Sequence, residues 1–124
     1  GKVYFTYIPF SFISDESFLA AEAAYCAMDQ GKFWEFHDYI FANYDLPMTE
    51  KLLRAFAQDL KLDLAQYDNC MASGKYRQKV QEDGQYARSK GVTGTPTFDV
   101  NGTLVGQTEL FATIDQALAT STQP

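Results

Sequence analysis

The sequence has no apolar run near the roughly 18 residues that a membrane-spanning helix needs, so membrane insertion is not expected. It has no basic excess either: ten Lys and Arg stand against sixteen Asp and Glu, a net charge of −6. Nucleic acid calls for a clustered cationic face to neutralise phosphates, and these cations are scattered. An acidic surface also repels anionic lipid headgroups. Metal-ligating residues are scarce, with two cysteines (Cys26 and Cys70) and one histidine (His37). A zinc site takes four ligands, or three and an open position, in short-range pairs, so neither a metal nor a cofactor is expected. Gly1-Lys2-Val3-Tyr4-Phe5 does not have the charged-then-apolar pattern of a signal peptide, and reads as the middle of a longer polypeptide. There is no internal repeat and no linker. The even cysteine count fits one disulfide in an oxidising compartment, or two unrelated buried thiols.

What the chain does have is apolar and aromatic substance. Of 124 residues, 46% are hydrophobic and 15% aromatic, which suits the core of one small domain. Charged residues at 21% argue against disorder. Residues 3–10 are apolar, aromatic and closed by Pro9, which predicts a strand buried on both faces. Tyr4, Tyr7 and the nearby Phe residues are assigned to the core on the same grounds.

Helical spacing follows. Ser14 or Asp15 offers an N-cap, and Phe18, Ala21, Tyr25 and Met28 recur on one face until Gly31. Phe33, Phe36, Ile40 and Phe41 form a second stripe over 32–43. Thr49 caps a third helix carrying Leu52, Leu53, Phe56 and Leu60. Asp63 caps a fourth through Tyr67 and Cys70 to Ser73-Gly74, and a fifth runs over 76–90 with Val80 and Ala87 inward. The last third changes character. Gly91-Val92-Thr93-Gly94-Thr95-Pro96 is a loop, and Thr97-Phe98-Asp99-Val100 alternates like a strand. Asn101-Gly102 predicts a type I′ turn, with Thr103 to Val105 as the returning strand. Leu110, Phe111, Ile114 and Leu118 mark a closing helix. The order is strand, five helices, hairpin, helix, an α/β arrangement with a helical insertion.

Two blocks then carry a specific likeness. Gly91-Val92-Thr93-Gly94-Thr95-Pro96-Thr97-Phe98, followed by strand, Asn-Gly, strand and helix, resembles the second half of a thioredoxin fold. Ala20-Ala21-Glu22-Ala23-Ala24-Tyr25-Cys26-Ala27 with Gln30-Gly31-Lys32-Phe33-Trp34-Glu35-Phe36-His37-Asp38 resembles the helical insertion of its DsbA-like branch. The resemblance covers the whole chain. It implies an α/β, thioredoxin-like fold, N-terminally incomplete. Residues 1–124 then make one partial domain: a strand at 3–10, a helical insertion at 14–90, and loop, β-hairpin and helix at 91–120.

The same resemblance implies a bacterial, periplasmic or otherwise extracytoplasmic thiol–disulfide oxidoreductase whose partners are substrate proteins with thiols or disulfides. It implies a cis Thr95–Pro96 bond, with Gly94, Thr95 and Pro96 docking an extended substrate segment. The family's Cys-x-x-Cys, whose first thiolate exchanges with a substrate disulfide, does not occur in residues 1–124. No catalytic residue is therefore assigned, and Cys26 and Cys70 are too far apart to replace the motif. In the family context the pair becomes a candidate structural disulfide tying the first insertion helix to the fourth. Closing so long a loop stabilises by roughly 4 kcal/mol in the chain-entropy model.

Trp34 and His37, one turn apart beside Glu35 and Asp38, are read as packing and local hydrogen bonding rather than catalysis. The strand that the family places between 3–8 and 97–100 is likewise not in the sequence. Three outcomes are open, strand swapping with a second copy, direct antiparallel closure into a three-stranded sheet, or completion by further polypeptide, and self-association is expected of residues 1–124. Two other functions compete. Gly106-Gln107-Thr108 resembles a turn of the glutathione-binding kappa-type transferases and isomerases, and a non-catalytic peptide-binding module would use the Thr95-Pro96 groove alone.

Overall fold

The computed structural model describes residues 1–11 and 14–121. Its elements are α1 (Asp15–Met28), α2 (Phe33–Ala42), α3 (Glu50–Asp59), α4 (Leu64–Ser73), α5 (Arg77–Ser89), β1 (Phe98–Val100), β2 (Thr103–Val105) and α6 (Leu110–Ser121). The chain falls into two compact units rather than one block, a helical unit over Pro9–Gln85 and a second formed by Gly1–Ile8 with Tyr86–Pro124. The division lies inside α5.

The helical unit follows its caps and its apolar stripes. Ser14 accepts from the Ser17 N–H, Thr49 from the Leu52 N–H and Asp63 from the Gln66 N–H, each satisfying an orphan donor of a first turn. Gly31 and Gly74 adopt positive φ and close α1 and α4. The core gathers around α1, where Ala20, Ala23, Ala24 and Ala27 leave room for Phe36, Leu53, Phe56 and Tyr67. Phe36 meets Phe56 edge to face at 6.1 Å between ring centroids. Cys26 and Cys70 form a disulfide with Cα atoms 5.9 Å apart, joining α1 to α4. The open choice between bond and free thiols is thus resolved as a bond.

The second unit rests on the hairpin. Phe98 pairs with Val105, Asp99 with Leu104 and Val100 with Thr103, antiparallel. Asn101 (φ 51°) and Gly102 (φ 96°) supply the two positive φ angles of a type I′ turn. The Asp99 side chain accepts from the Gly102 N–H at 2.6 Å.

Several expectations are corrected here. Residues 1–11 form neither helix nor strand, and the sheet has two strands, β1 and β2, among the described residues. The apolar run at 3–10 therefore makes no buried strand, and the three-stranded closure does not form. A strand exists only through a ladder partner, and apolar character alone does not supply one. Tyr4 is 95% exposed and Phe5 is also exposed, so neither is core; Tyr7 is half-buried. Met28, Phe41 and Phe111, each placed on an inward stripe, lie exposed.

Candidate functional site

The residues singled out for substrate docking lie on the loop that follows α5. Helix α5 ends in a paired turn, with the Gly91 N–H donating to the Arg88 carbonyl and the Val92 N–H to the Ala87 carbonyl, both at 3.0 Å. The chain then passes through Gly94, Thr95 and Pro96 into β1. The Thr97 hydroxyl donates to the Gly94 carbonyl at 2.6 Å and fixes the entry to the strand. The Thr95–Pro96 peptide bond is cis. Thr95 and Pro96 are exposed and Gly94 half-exposed. Among the described residues the Thr95 N–H and C=O have no hydrogen-bond partner, and Pro96 has no N–H to offer. The loop so presents main-chain groups to solvent.

The helical unit holds a second concentration of chemistry, around the disulfide. Asp29, just past α1, binds the Lys75 ammonium at 2.6 Å and the Tyr76 hydroxyl, and lies 4.0 Å from Cys70 Sγ. Burial pushes the Asp29 carboxyl up, but the bonds from Lys75 and Tyr76 outweigh it and hold the group below the usual carboxylate range. One turn back, Tyr25 donates to Asp83, and the buried Glu22 pairs with Arg77 at 3.1 Å. Glu22, Tyr25 and Asp29 thus form one stripe of α1 facing the segment from Lys75 to Asp83. Sequence reasoning found Tyr25 but not its polar neighbours. The available signal was Glu22 itself, a charge inside an alanine-rich run. Its complement, Arg77, lies 55 positions away and has no local signature.

On α2, His37 Nδ1 sits 3.1 Å from Asp38 Oδ1, with ring contacts to Trp34 at 5.2 Å and Phe41 at 4.7 Å. This is the packing and local bonding expected of it. No group of three His, Cys, Asp or Glu side chains is disposed to hold a metal among the described residues. Both cysteines of the sequence lie in the one disulfide, which leaves no thiol for exchange in these residues.

Comparisons with known proteins agree with the geometry. A family model described as thioredoxin matches residues 1–119. The chain is 34% identical over 112 residues to a probable disulfide bond formation protein D of Bacillus cereus, covering 84% of this chain and 52% of that protein. It is 38% identical over 96 residues to the Na(+)/H(+) antiporter NhaA 3 of Salinispora tropica, covering 77% of this chain but 15% of that protein. A crystal structure of a thioredoxin-like oxidoreductase from Silicibacter pomeroyi superposes with a TM-score of 0.75 at 27% identity, covering 90% of this chain and 66% of that one. The chain thus spans about half the length of the disulfide-formation relative and a small fraction of the antiporter. The loop, hairpin and closing helix, the helical insertion and these matches together place the chain in the thioredoxin family, as a DsbA-like member of that fold.

Proposed function

We propose that the chain is part of a DsbA-like protein thiol–disulfide oxidoreductase acting on protein cysteines in the bacterial cell envelope, with Gly94, Thr95 and Pro96 docking the client backbone. The observation that carries this reading is the exposed loop whose Thr95 main-chain groups have no bond among the described residues. A client strand laid there gains main-chain hydrogen bonds without competing against an existing ladder. The chemistry itself is exchange: a thiolate attacks one sulfur of a disulfide, a mixed disulfide forms, and the other sulfur leaves as thiolate. With Cys26 and Cys70 bonded to each other, the exchanging cysteines belong to polypeptide outside these 124 residues.

The envelope assignment draws support from that disulfide, since such bonds persist in oxidising compartments, and from the disulfide bond formation for which the Bacillus relative is named. Ion transport, which the antiporter's name describes, is not carried over from a match to 15% of that protein. A second reading, a peptide-binding module without catalysis, is favoured by one observation, that neither cysteine is free.

The test is an NMR titration of the chain with an unfolded, cysteine-containing peptide, paired with an insulin-reduction assay. The expected result is amide shifts confined to residues 94–97 with no insulin reduction by these residues alone. Joining the chain to a redox-active Cys-x-x-Cys segment should then produce reduction. Binding without activity in the joined protein would select the module reading, and shifts elsewhere would remove the docking role.

A further inference from the structure

The tip of the β1–β2 hairpin sets a side-chain carboxamide beside an unshielded backbone nitrogen. Asn101 and Gly102 are both exposed, and nothing lies within 4 Å of where a Cβ on Gly102 would stand. Among the described residues the Asn101 carboxamide makes no hydrogen bond. An asparagine followed by glycine is the least hindered setting for attack by the next backbone nitrogen on the side-chain carbon, because no Cβ stands beside that nitrogen. The other two asparagines lack this setting. Asn43 precedes Tyr44 and donates to the Tyr39 carbonyl at 2.8 Å, and Asn69 precedes Cys70 inside α4.

We propose that Asn101 is a site of spontaneous covalent modification, converted through a cyclic imide to isoaspartate, and that Asp99 holds the reaction back while the hairpin is folded. The Gly102 nitrogen loses its proton and attacks Asn101 Cγ. The Cγ–Nδ2 bond breaks, and Nδ2 leaves as ammonia with that proton. Water then opens the imide at either carbonyl to give aspartate or isoaspartate, so water is the only co-reactant. Two features of the folded turn oppose the first step. The Gly102 N–H donates to Asp99 Oδ1 at 2.6 Å, and a carboxylate there disfavours the amide anion that must form. The pairs Phe98–Val105, Asp99–Leu104 and Val100–Thr103 fix the backbone of the turn, and ring closure has to rotate it. Once formed, isoaspartate adds a methylene to the main chain. A two-residue type I′ loop has no place for it, so the ladder of β1 and β2 loses its register. The site stands independently of the Thr95 loop, and its readout is separate.

The experiment ages the folded chain in mildly alkaline buffer and maps it by mass spectrometry, with fragmentation that separates isoaspartate from aspartate. Conversion is expected at Asn101, rising with hydroxide concentration, while Asn43 and Asn69 stay intact. D99N keeps a hydrogen-bond acceptor but loses the charge. It should convert about tenfold faster, in proportion to the larger share of amide anion. In urea the two proteins should convert at equal rates, because the bond to Asp99 is gone. Amide exchange at 98–105, measured on D99N before ageing, separates the charge from the turn. Faster conversion with wild-type exchange supports the role of Asp99, and faster conversion only in step with faster exchange overturns it. In the aged wild type, exchange at 98–105 should quicken, whereas N101D, with the charge but no added methylene, should stay close to the fresh protein. Earlier loss of Asn43 or Asn69, D99N converting at the wild-type rate, or an aged hairpin that exchanges as slowly as the fresh one would overturn the proposal.

Discussion

The helical unit buries Phe36, Leu53 and Val80 almost completely, whereas the hairpin unit buries only Ala87 among its described residues and leaves Val3, Tyr4, Phe5 and Phe111 in solvent. Charge divides as unevenly. Thirteen of the sixteen Asp and Glu but only seven of the ten Lys and Arg lie in the helical unit, which carries the whole net charge of −6, while the hairpin unit is neutral. The first unit is held by a core, a covalent bond and side-chain caps. The second is held by backbone devices, a type I′ turn and a three-pair ladder. A two-stranded hairpin is marginal on its own in water. Order in one unit therefore comes from what its side chains bury, and in the other from what its turn dictates.

Removing the disulfide should separate the units most. Its cysteines are 44 positions apart, and loop closure of that length contributes about 4 kcal/mol. In C26A/C70A, denaturation followed by Trp34 emission should move to much lower denaturant, while amide exchange at 98–105 keeps its wild-type rates. Equal loss of protection in the hairpin would break the comparison and show one cooperative unit. Cavity formation gives a graded version. Leu53→Ala empties a fully buried site and should cost about 3 kcal/mol, whereas Leu118→Ala on the half-buried face of α6 should cost less than about 1.5 kcal/mol. Calorimetry of both variants checks the ratio.

The same division explains what was legible in the sequence. Everything set locally was readable: Ser14, Thr49 and Asp63 as caps, Gly31 and Gly74 as stops, Asn101-Gly102 as the turn. The loop at 94–96 was readable through its likeness to a known fold, because that pattern is contiguous. Residues 3–10 were misread because their apolar run describes what a segment can bury, and burial depends on a partner that the segment does not encode. The stripe of Glu22, Tyr25 and Asp29 went unseen for the same reason. Its partners lie at 75–83, and no periodicity links the two segments.

That stripe offers a pH test of the helical unit. The folded Asp29 carboxyl lies below its ordinary range, so the unfolded chain binds more protons in mild acid and stability rises with pH there. The contribution is complete above about pH 4 and is lost as pH falls further, through the lower folded value. Asp29→Asn should therefore cost about 1 kcal/mol near neutrality and flatten the acid limb of the stability curve. Lys75 is half exposed, so solvent screening keeps the effect at this modest size. Urea titrations from pH 2.5 to 7 read it directly. An unchanged acid limb in the variant would show that the Lys75 and Tyr76 bonds do not persist in solution.

The smallest effect expected concerns how helices end. Four of them close with the same pair of bonds, in which the residue after the left-handed position reaches back across the last turn: Lys32 to Ala27, Leu62 to Ala57, Lys75 to Cys70 and Val92 to Ala87. Three place glycine at the left-handed position, at Gly31, Gly74 and Gly91, while α3 places Lys61 there with φ at 60°. A side chain at that angle crowds its own carbonyl and costs roughly 1 kcal/mol relative to glycine. Glycine loses more backbone entropy on folding, which returns part of that gain. Lys61 is exposed and makes no ion pair among the described residues, so its side chain contributes little to offset the strain. Lys61→Gly should accordingly stabilise the helical unit by about 0.5 kcal/mol, seen as a small rise in the Trp34 unfolding midpoint, with hairpin exchange unaltered. A fall in that midpoint would mean that the entropy term outweighs the strain, and that α3 ends on its core contacts at Leu62 rather than on its turn geometry.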